Sequence, residues 1–362
     1  MEAHAQTTTI DSKLPRTMKA AVMPKPGSIE IKEVPLPALQ DHEVLVQVMA
    51  VGVCGSDLHY YEHGRIGRFV VEQPIILGHE CAGIIAAVGG KVTRAAVGDR
   101  VAVEPGVTCG LCPDCKAGRY NLCPDVQFLA TPPVDGAFVQ YLAIREDMVF
   151  QIPDHLSFEE AALVEPFSVG IHAAVRSRLQ AGETVAIMGM GPVGLMAAAA
   201  AKSYGAADII VTDLEEVRLQ AALKLGAAHA INVREQDAAA VIRELTGGIG
   251  VDVAWETAGS PRALQSALQS LRRGGRLAIV GLPAQDDIPL NVPLIADSEL
   301  DIYGIFRYAN TYRKGIRFLE SGLVDASVLV TDRYPLDQTQ EALERAIHNK
   351  NASLKVMVYP NG

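Results

Sequence analysis

The stretch Thr184-Val185-Ala186-Ile187-Met188-Gly189-Met190-Gly191-Pro192-Val193-Gly194 decides how this chain is read. An apolar run of strand length ends in G-x-G-x-x-G and opens onto a helical pattern from Val193 to Tyr204. The glycines permit a tight turn and close approach of a pyrophosphate, whose negative charge a helix N-terminus favours. The triplet of glycines alone is weak, and its place between strand and helix gives it force. Pro192 and Val193 open the helix. Asp213 ends the next apolar run, nineteen residues beyond Gly194, where a carboxylate can accept both ribose hydroxyls and repel a 2′-phosphate. NAD is therefore expected over NADP. Two alternatives stay open: Asp213 as N-cap of the helix near Glu215, and Arg218 as neutraliser of a phosphate.

Downstream the rhythm repeats. Apolar runs at Ile209 to Thr212, Val251 to Trp255 and Leu277 to Val280 alternate with helical stretches Glu215 to Leu225, Asp237 to Leu245 and Pro261 to Leu271, the pattern of a doubly wound parallel sheet. A last strand is expected over Leu300 to Ile305, followed by Phe306-Arg307-Tyr308. The remainder, with helices near Tyr312 to Ser321 and Gln338 to Asn349 and a strand Lys355 to Tyr359, is expected to return to the first domain. Upstream, Lys19 to Met23, Ile29 to Val34 and Glu43 to Val51 read as short strands punctuated by proline, which predicts an antiparallel, barrel-like domain. After Val51 the chain is expected to turn, exposing Cys54, Ser56 and His59. Gln127 to Gly136 should be a loop, Ala137 to Ile144 a strand, and Ser157-Phe158-Glu159-Glu160 a capping box whose short helical turn Glu165-Pro166 closes.

A chain of 362 residues exceeds one comfortable core, so two domains are expected. A net charge of −10 disfavours nucleic acid as a partner, and no apolar run is long enough for a bilayer. The amino terminus carries no secretory pattern, so a cytoplasmic location is expected and the six cysteines are poor disulfide candidates. Four of them, Cys109, Cys112, Cys115 and Cys123, follow C-x2-C-x2-C-x7-C on a glycine-bearing segment, which suits a closed, structural zinc site. An iron–sulfur cluster is the rival, with disulfides third. Gly78-His79-Glu80 puts an imidazole beside a carboxylate, and with Cys54 and Glu165 it offers donors that zinc accepts. The plainer readings are a surface hydrogen bond for the pair, and for Cys54 and His59 a small buried hydrophobe and a surface residue.

These residues together resemble the zinc-containing medium-chain dehydrogenases and, within them, the sorbitol (polyol) branch, bacterial members above all. The stretches carrying the resemblance are Val51-Gly52-Val53-Cys54-Gly55-Ser56-Asp57-Leu58-His59-Tyr60-Tyr61, Gly64-Arg65-Ile66-Gly67, Leu77 to Glu80, the cysteine lobe, Phe128-Leu129-Ala130-Thr131-Pro132-Pro133, Val164-Glu165-Pro166-Phe167-Ser168-Val169-Gly170-Ile171-His172 and Gly304-Ile305-Phe306-Arg307-Tyr308. Only Met1 to Lys13 lies clearly outside it. The resemblance implies an α/β chain: a GroES-like β-rich catalytic domain over 1–166 and 301–362, its structural-zinc lobe at 106–124, and a Rossmann-type NAD domain over 167–300. It implies one catalytic zinc on Cys54, His79, Glu80 and Glu165, the last as ligand or as partner of a water, and one structural zinc on the four cysteines. Alcohol dehydrogenases carry a second cysteine at the Glu165 position.

The implied reaction is NAD-dependent oxidation of a polyol's secondary alcohol to a ketose, sorbitol to fructose first, with xylitol or L-arabinitol as alternatives and 2,3-butanediol or threonine further off. Ser56, Glu165 and His59 are the implied proton carriers, in that order. Tyr60, Phe128, Thr131, Glu165, Phe306, Arg307 and Tyr308 are the implied substrate contacts, although core packing would also explain the aromatic residues. Cofactor contacts would add Val280, Gly281, Ile305, Phe306 and Arg307 to the glycine loop, Asp213 and Arg218. A homotetramer is implied by kinship. A reading from another class is a non-catalytic, zinc-stabilised sensor of the NADH/NAD ratio.

Overall fold

The structure, a computed structural model, describes residues 14–283, 285 and 287–362, so the polar amino-terminal stretch lies outside the described residues. The chain divides into two compact units. One takes the residues through Glu165 with Val330–Asn349 and Lys355–Gly362; the other takes Pro166–Leu329 and Lys350–Leu354. Among the described residues no helix is long and apolar enough to cross a membrane.

The first unit is built on a seven-stranded sheet. Its central strand, Glu43–Gly52, is rich in valine and pairs antiparallel with Glu80–Val88, Tyr141–Arg145 and Lys355–Tyr359. Arg100–Val103 and Val149–Gln151 extend the sheet on one side, and Val330–Pro335, parallel to Lys355–Tyr359, extends it on the other. A smaller sheet joins Thr17–Lys25 to Ser28–Pro35 and Ile75–Ile76. Val44, Val46, Val48, Leu77, Ile85 and Phe138 are fully or almost fully buried in this unit's apolar core.

The second unit holds six parallel strands. In spatial order they are His229–Asn232, Asp208–Asp213, Thr184–Met188, Val251–Glu256, Leu271–Ile279 and Asp301–Gly304, so the first strand in the chain lies third and the sheet grows outward both ways from it. Helices Pro192–Ser203, Glu216–Lys224, Ala238–Leu245 and Pro261–Ser270 form the crossovers, close to the sequence expectation. The strand His229–Asn232 has too little apolar character to have been read in advance.

Four expectations are corrected. The chain returns to the first unit at Val330, not at residue 301. Asp301–Gly304 completes the parallel sheet, and the helix Tyr312–Glu320 buries Tyr312, Ile316 and Leu319 while Phe318 packs 6.1 Å from Phe167 and 6.0 Å from Tyr204, so this segment belongs to the second unit. The turn expected after Val51 is a helix, Gly55–His63: Cys54 N–H donates to the Asp57 carboxylate across its first turn, and Gly64 ends it at φ 68°. Pro166 closes nothing; it sits in the first turn of a helix, Val164–Arg176, where its missing N–H costs no hydrogen bond. The strand expected from Ala137 begins at Tyr141, because Ala137 and Phe138 spend their backbone N–H groups on Gly78 and Leu77.

Candidate active site

Strand pairing assembles the site in the first unit. Gly52 lies opposite Glu80 in the antiparallel pair, so the residues just after one strand and just before the other share one end of the sheet. Cys54, His79 and Glu80 thereby bring a sulfur, an imidazole nitrogen and a carboxylate oxygen within 4.8 Å of one another. This mixed set, drawn mostly from buried residues, suits zinc.

Asp57 locks the set in place. Fully buried, it accepts Gly78 N–H and Cys54 N–H at 2.9 Å each, and its Oδ1 lies 3.6 Å from His79 Nδ1. One carboxylate thus ties the two ligand-bearing stretches and orients the ring whose other nitrogen can face a metal. Against the burial that would push it down, Cys54 and Asp57 hold the His79 imidazole well above its ordinary value. A metal binding here would have to displace that proton. Asp57 escaped the sequence reading, although its place three residues after Cys54 has capping-box spacing.

Glu80 and Lys355 are both 1% exposed, and Glu80 Oε2 is in ion-pair contact with Lys355 Nζ. The same ammonium donates to Val53 O at 2.9 Å. Glu165 is buried at the start of its helix, outside the group of three but near enough for its charge to act on Cys81 and Lys355. Burial pushes the Cys81 thiol up to about 12, so this neighbour of the ligands stays a neutral thiol. Phe128 lies with its ring centroid 5.6 Å from that of His79. On the helix Gly55–His63, Tyr60 is buried, Ser56 is half-buried, and His59 is exposed with its ring 5.8 Å from that of His63. Thr131 is half-buried in its loop.

The four-cysteine lobe is a second group of donors that could hold a metal ion. All four sulfurs lie within 4.8 Å of one another, with Cys109 3.5 Å from Cys123 and 4.0 Å from Cys115, and all four are free thiols. Zinc at the usual sulfur distance of about 2.3 Å needs tetrahedral sulfurs about 3.8 Å apart. Thiolates on separate irons of a cluster would stand further apart, so the geometry favours a single ion over the iron–sulfur rival. Backbone N–H groups of Leu111 and Cys112 point at Cys109 Sγ and hold its thiol down at about 7. Tyr120 Oη ties the lobe to the sheet by donating to the buried Glu104 at 2.7 Å.

In the second unit, the G-x-G-x-x-G loop follows its strand as expected. Gly189 has φ 100°, and a side chain there would strike Ala258; one at Gly194 would strike Gly189 O. A Cβ on Gly191, by contrast, would meet nothing within 4 Å, and no side chain caps the helix that begins at Pro192. That open space before unspent N–H groups is what a pyrophosphate requires. A cavity of about 480 Å³ adjoins it, its polar wall formed by Asp213, Arg218, Ser260 and Lys350. Asp213 is not an N-cap: its Oδ2 accepts Met190 N–H at 2.6 Å and its Oδ1 accepts Glu215 N–H at 2.8 Å, while Arg218 lies 3.9 Å away. Its remaining lone pairs stay available for ribose hydroxyls.

Val280 and Gly281 follow the strand Leu271–Ile279, and both their N–H groups donate to Glu256 O. Ile305 N–H donates to Ile279 O, and the chain then presents Phe306, 41% exposed, with the Arg307 guanidinium 4.9 Å from its ring centroid. Arg307 has φ 50°, a conformation a non-glycine residue adopts only at a cost. Tyr308 is buried against Tyr312 at 5.8 Å.

Comparison with known proteins gives the following. A family model described as zinc-binding dehydrogenase matches residues 192–321, and one described as alcohol dehydrogenase GroES-like domain matches residues 40–154. The chain is 70% identical over 348 residues to the sorbitol dehydrogenase of Bacillus subtilis, covering 96% of this chain and 99% of that one. It is 38% identical to the D-xylulose reductase of Saccharomyces cerevisiae, covering 94% and 98%. Among solved structures, an oxidoreductase/dehydrogenase of unknown specificity from Escherichia coli superposes with a TM-score of 0.91 at 39% identity, covering 95% and 99%.

Proposed function

The chain belongs to the zinc-binding dehydrogenases that carry an alcohol dehydrogenase GroES-like domain, and on that premise we propose that it oxidises sorbitol to fructose with NAD. The observation that carries the reading is the convergence of Cys54, His79 and Glu80 with a buried Glu165 nearby, a carboxylate-rich donor set in a chain 70% identical to a sorbitol dehydrogenase. Xylitol is the second reading, supported by the similarity to a D-xylulose reductase.

Zinc, when bound, supplies positive charge that favours the deprotonated alcohol, and NAD supplies the hydride acceptor. The chain's own residues do the rest. Cys54, His79 and Glu80 would hold the ion, and Asp57 fixes the His79 ring. The alcohol's proton leaves through Ser56 and Glu165, with the exposed His59 passing it to solvent. Tyr60 and Thr131 offer hydroxyls to the polyol, and Phe128 an apolar wall. Gly191 and the helix N-terminus receive the pyrophosphate, and Asp213 the ribose. With NAD bound, the overall balance would be polyol and NAD to a ketose, NADH and one proton. Kinship adds a cytoplasmic homotetramer to this reading, which sedimentation would check.

Steady-state rates with sorbitol, xylitol, L-arabinitol, 2,3-butanediol and threonine, each with NAD and NADP, test the proposal. Sorbitol with NAD should give the highest kcat/KM, and stripping metal with a chelator should abolish it until zinc is returned. Full activity without metal would overturn the zinc mechanism; a preference for butanediol or threonine would overturn the polyol assignment.

A further inference from the structure

The Glu80–Lys355 pair needs a reason to exist. Both side chains are buried, and the desolvation of a buried ion pair is generally repaid no better than by an apolar pair of similar shape. Stability alone therefore does not account for it. The fold makes room for it all the same. Lys355 opens the strand that lies beside Glu43–Gly52, and Gly52 faces Glu80 across the next pair. A Cβ on Gly52 would strike Glu80 Oε2 and come within 2.8 Å of Lys355 Cε. Gly52 does not carry the positive φ that would itself demand glycine, so the bare position there is explained by the pair.

The pair touches both ligand-bearing stretches. The ammonium holds Oε2 of Glu80 and also the carbonyl of Val53, the residue before Cys54. A free carboxylate beside a divalent ion can close on it with both oxygens, and each added anionic donor reduces the charge the ion exerts on its remaining ligand. We propose that Lys355 is a positioning residue of the metal site, which withholds one oxygen of Glu80 so that the other alone faces the ion and the ion's charge is not quenched. This rests on the zinc reading above. It predicts that removing the lysine makes the metal more tightly held and less effective at favouring a deprotonated alcohol, the opposite of what losing a structural prop would do.

The full-length zinc enzyme and its Lys355→Met, Lys355→Gln and Lys355→Arg variants test this. In the Met and Gln variants, the half-time of zinc transfer to a chelator should lengthen by about tenfold, opposite in sign to the loss of affinity that usually follows removal of a residue behind a metal ligand. After cobalt substitution their visible absorption should weaken, as expected for an added oxygen donor, and the pH at which polyol oxidation rises should move up by about one unit as a positive neighbour is lost. Lys355→Arg, which keeps charge and donors, should restore zinc transfer, spectrum and pH midpoint together. Faster zinc loss, an unchanged cobalt spectrum or an unmoved pH midpoint in the neutral variants would overturn the proposal. So would failure of both neutral variants to fold, since Lys355 would then be a requirement of the fold first. The Gln side chain, one atom shorter and uncharged, keeps a polar head for Val53 O without the charge that holds Glu80, and so stays readable where the Met variant is too unstable. Zinc transfer and the cobalt spectrum need no substrate, so a wrong polyol assignment leaves them intact.

Discussion

The two metal groups of the first unit are made in opposite ways. The cysteine lobe is local: four donors of one kind lie within fifteen residues, two of them on successive turns of a short segment, with backbone N–H groups aimed at their sulfurs. The Cys54–His79–Glu80 group is assembled from a helix start and a strand start brought together by sheet pairing, with donors of three kinds and a buried Asp57 and Lys355 behind them. A local site needs little from the rest of the fold, and uniform thiolates close its shell. A dispersed site depends on tertiary structure, and that dependence lets each donor be tuned separately.

Substitutions in either group should act on that group alone. His79→Ala should cost the chain one of two zinc ions and reduce polyol oxidation to background while the lobe stays loaded; metal analysis finding both ions lost would show that the groups are not independent. Asp57→Asn should leave the fold standing but weaken zinc at the dispersed site by about 10–100-fold, measured by competition with a chelating dye. Equal weakening at the lobe would contradict the assignment of Asp57 to one group alone. Cys112→Ser should remove the lobe's ion with turnover per remaining zinc little changed. The cost should appear in melting temperature, about 4–8 °C for a loss of about 2 kcal/mol, and an unchanged metal content would refute the site.

The tether between lobe and sheet is tested by pH alone. Burial, opposed by the Tyr120 hydroxyl and reinforced by Asp147 and Glu165, raises the Glu104 carboxyl from an ordinary 4.5 to about 7. A raised carboxyl gives its full relative stability below the unfolded value, and this is lost as pH climbs toward the folded one. The wild type should therefore lose up to about 3 kcal/mol from this group between pH about 4.5 and about 7. Glu104→Gln should flatten that slope in melting curves taken across the range, and parallel curves would show that Glu104 does not titrate as its burial requires.

What could be read in advance follows the same division. The cysteine spacing and the glycine loop are local patterns: the four sulfurs lie within 4.8 Å of one another, and the loop runs from strand to helix. His79 and Glu80 were visible only as a pair of suitable donors, and nothing in their neighbours' order said that Gly52 would lie opposite Glu80. Asp57 and Lys355 were invisible as parts of the site, because an aspartate in a helix-start motif and a lysine opening a strand are common and become informative only once buried. The helix Gly55–His63 was misread because Gly55-Ser56-Asp57 has the composition of a turn; its N-terminus depends on Asp57 facing Cys54, a contact no local propensity announces. The boundary at Val330 was missed because Phe318 and Leu319 show apolar character without showing which core they enter.

The strand Lys355–Tyr359 imposes an order of events on synthesis. Lys355 Nζ reaches Val53 O across 302 positions of chain, so the central sheet of the first unit lacks a strand, and Glu80 its cation, until the whole intervening unit has been made. Pairing over such a separation is slow to find, and domains emerging from the ribosome tend to fold as they appear. The cofactor-binding unit, contiguous from Pro166 to Leu329 but for one short later segment, can thus take shape first as a folded insert. The Cys54–His79–Glu80 group would then gain its full surroundings among the last parts of the molecule to form, well after the local cysteine lobe could close on an ion.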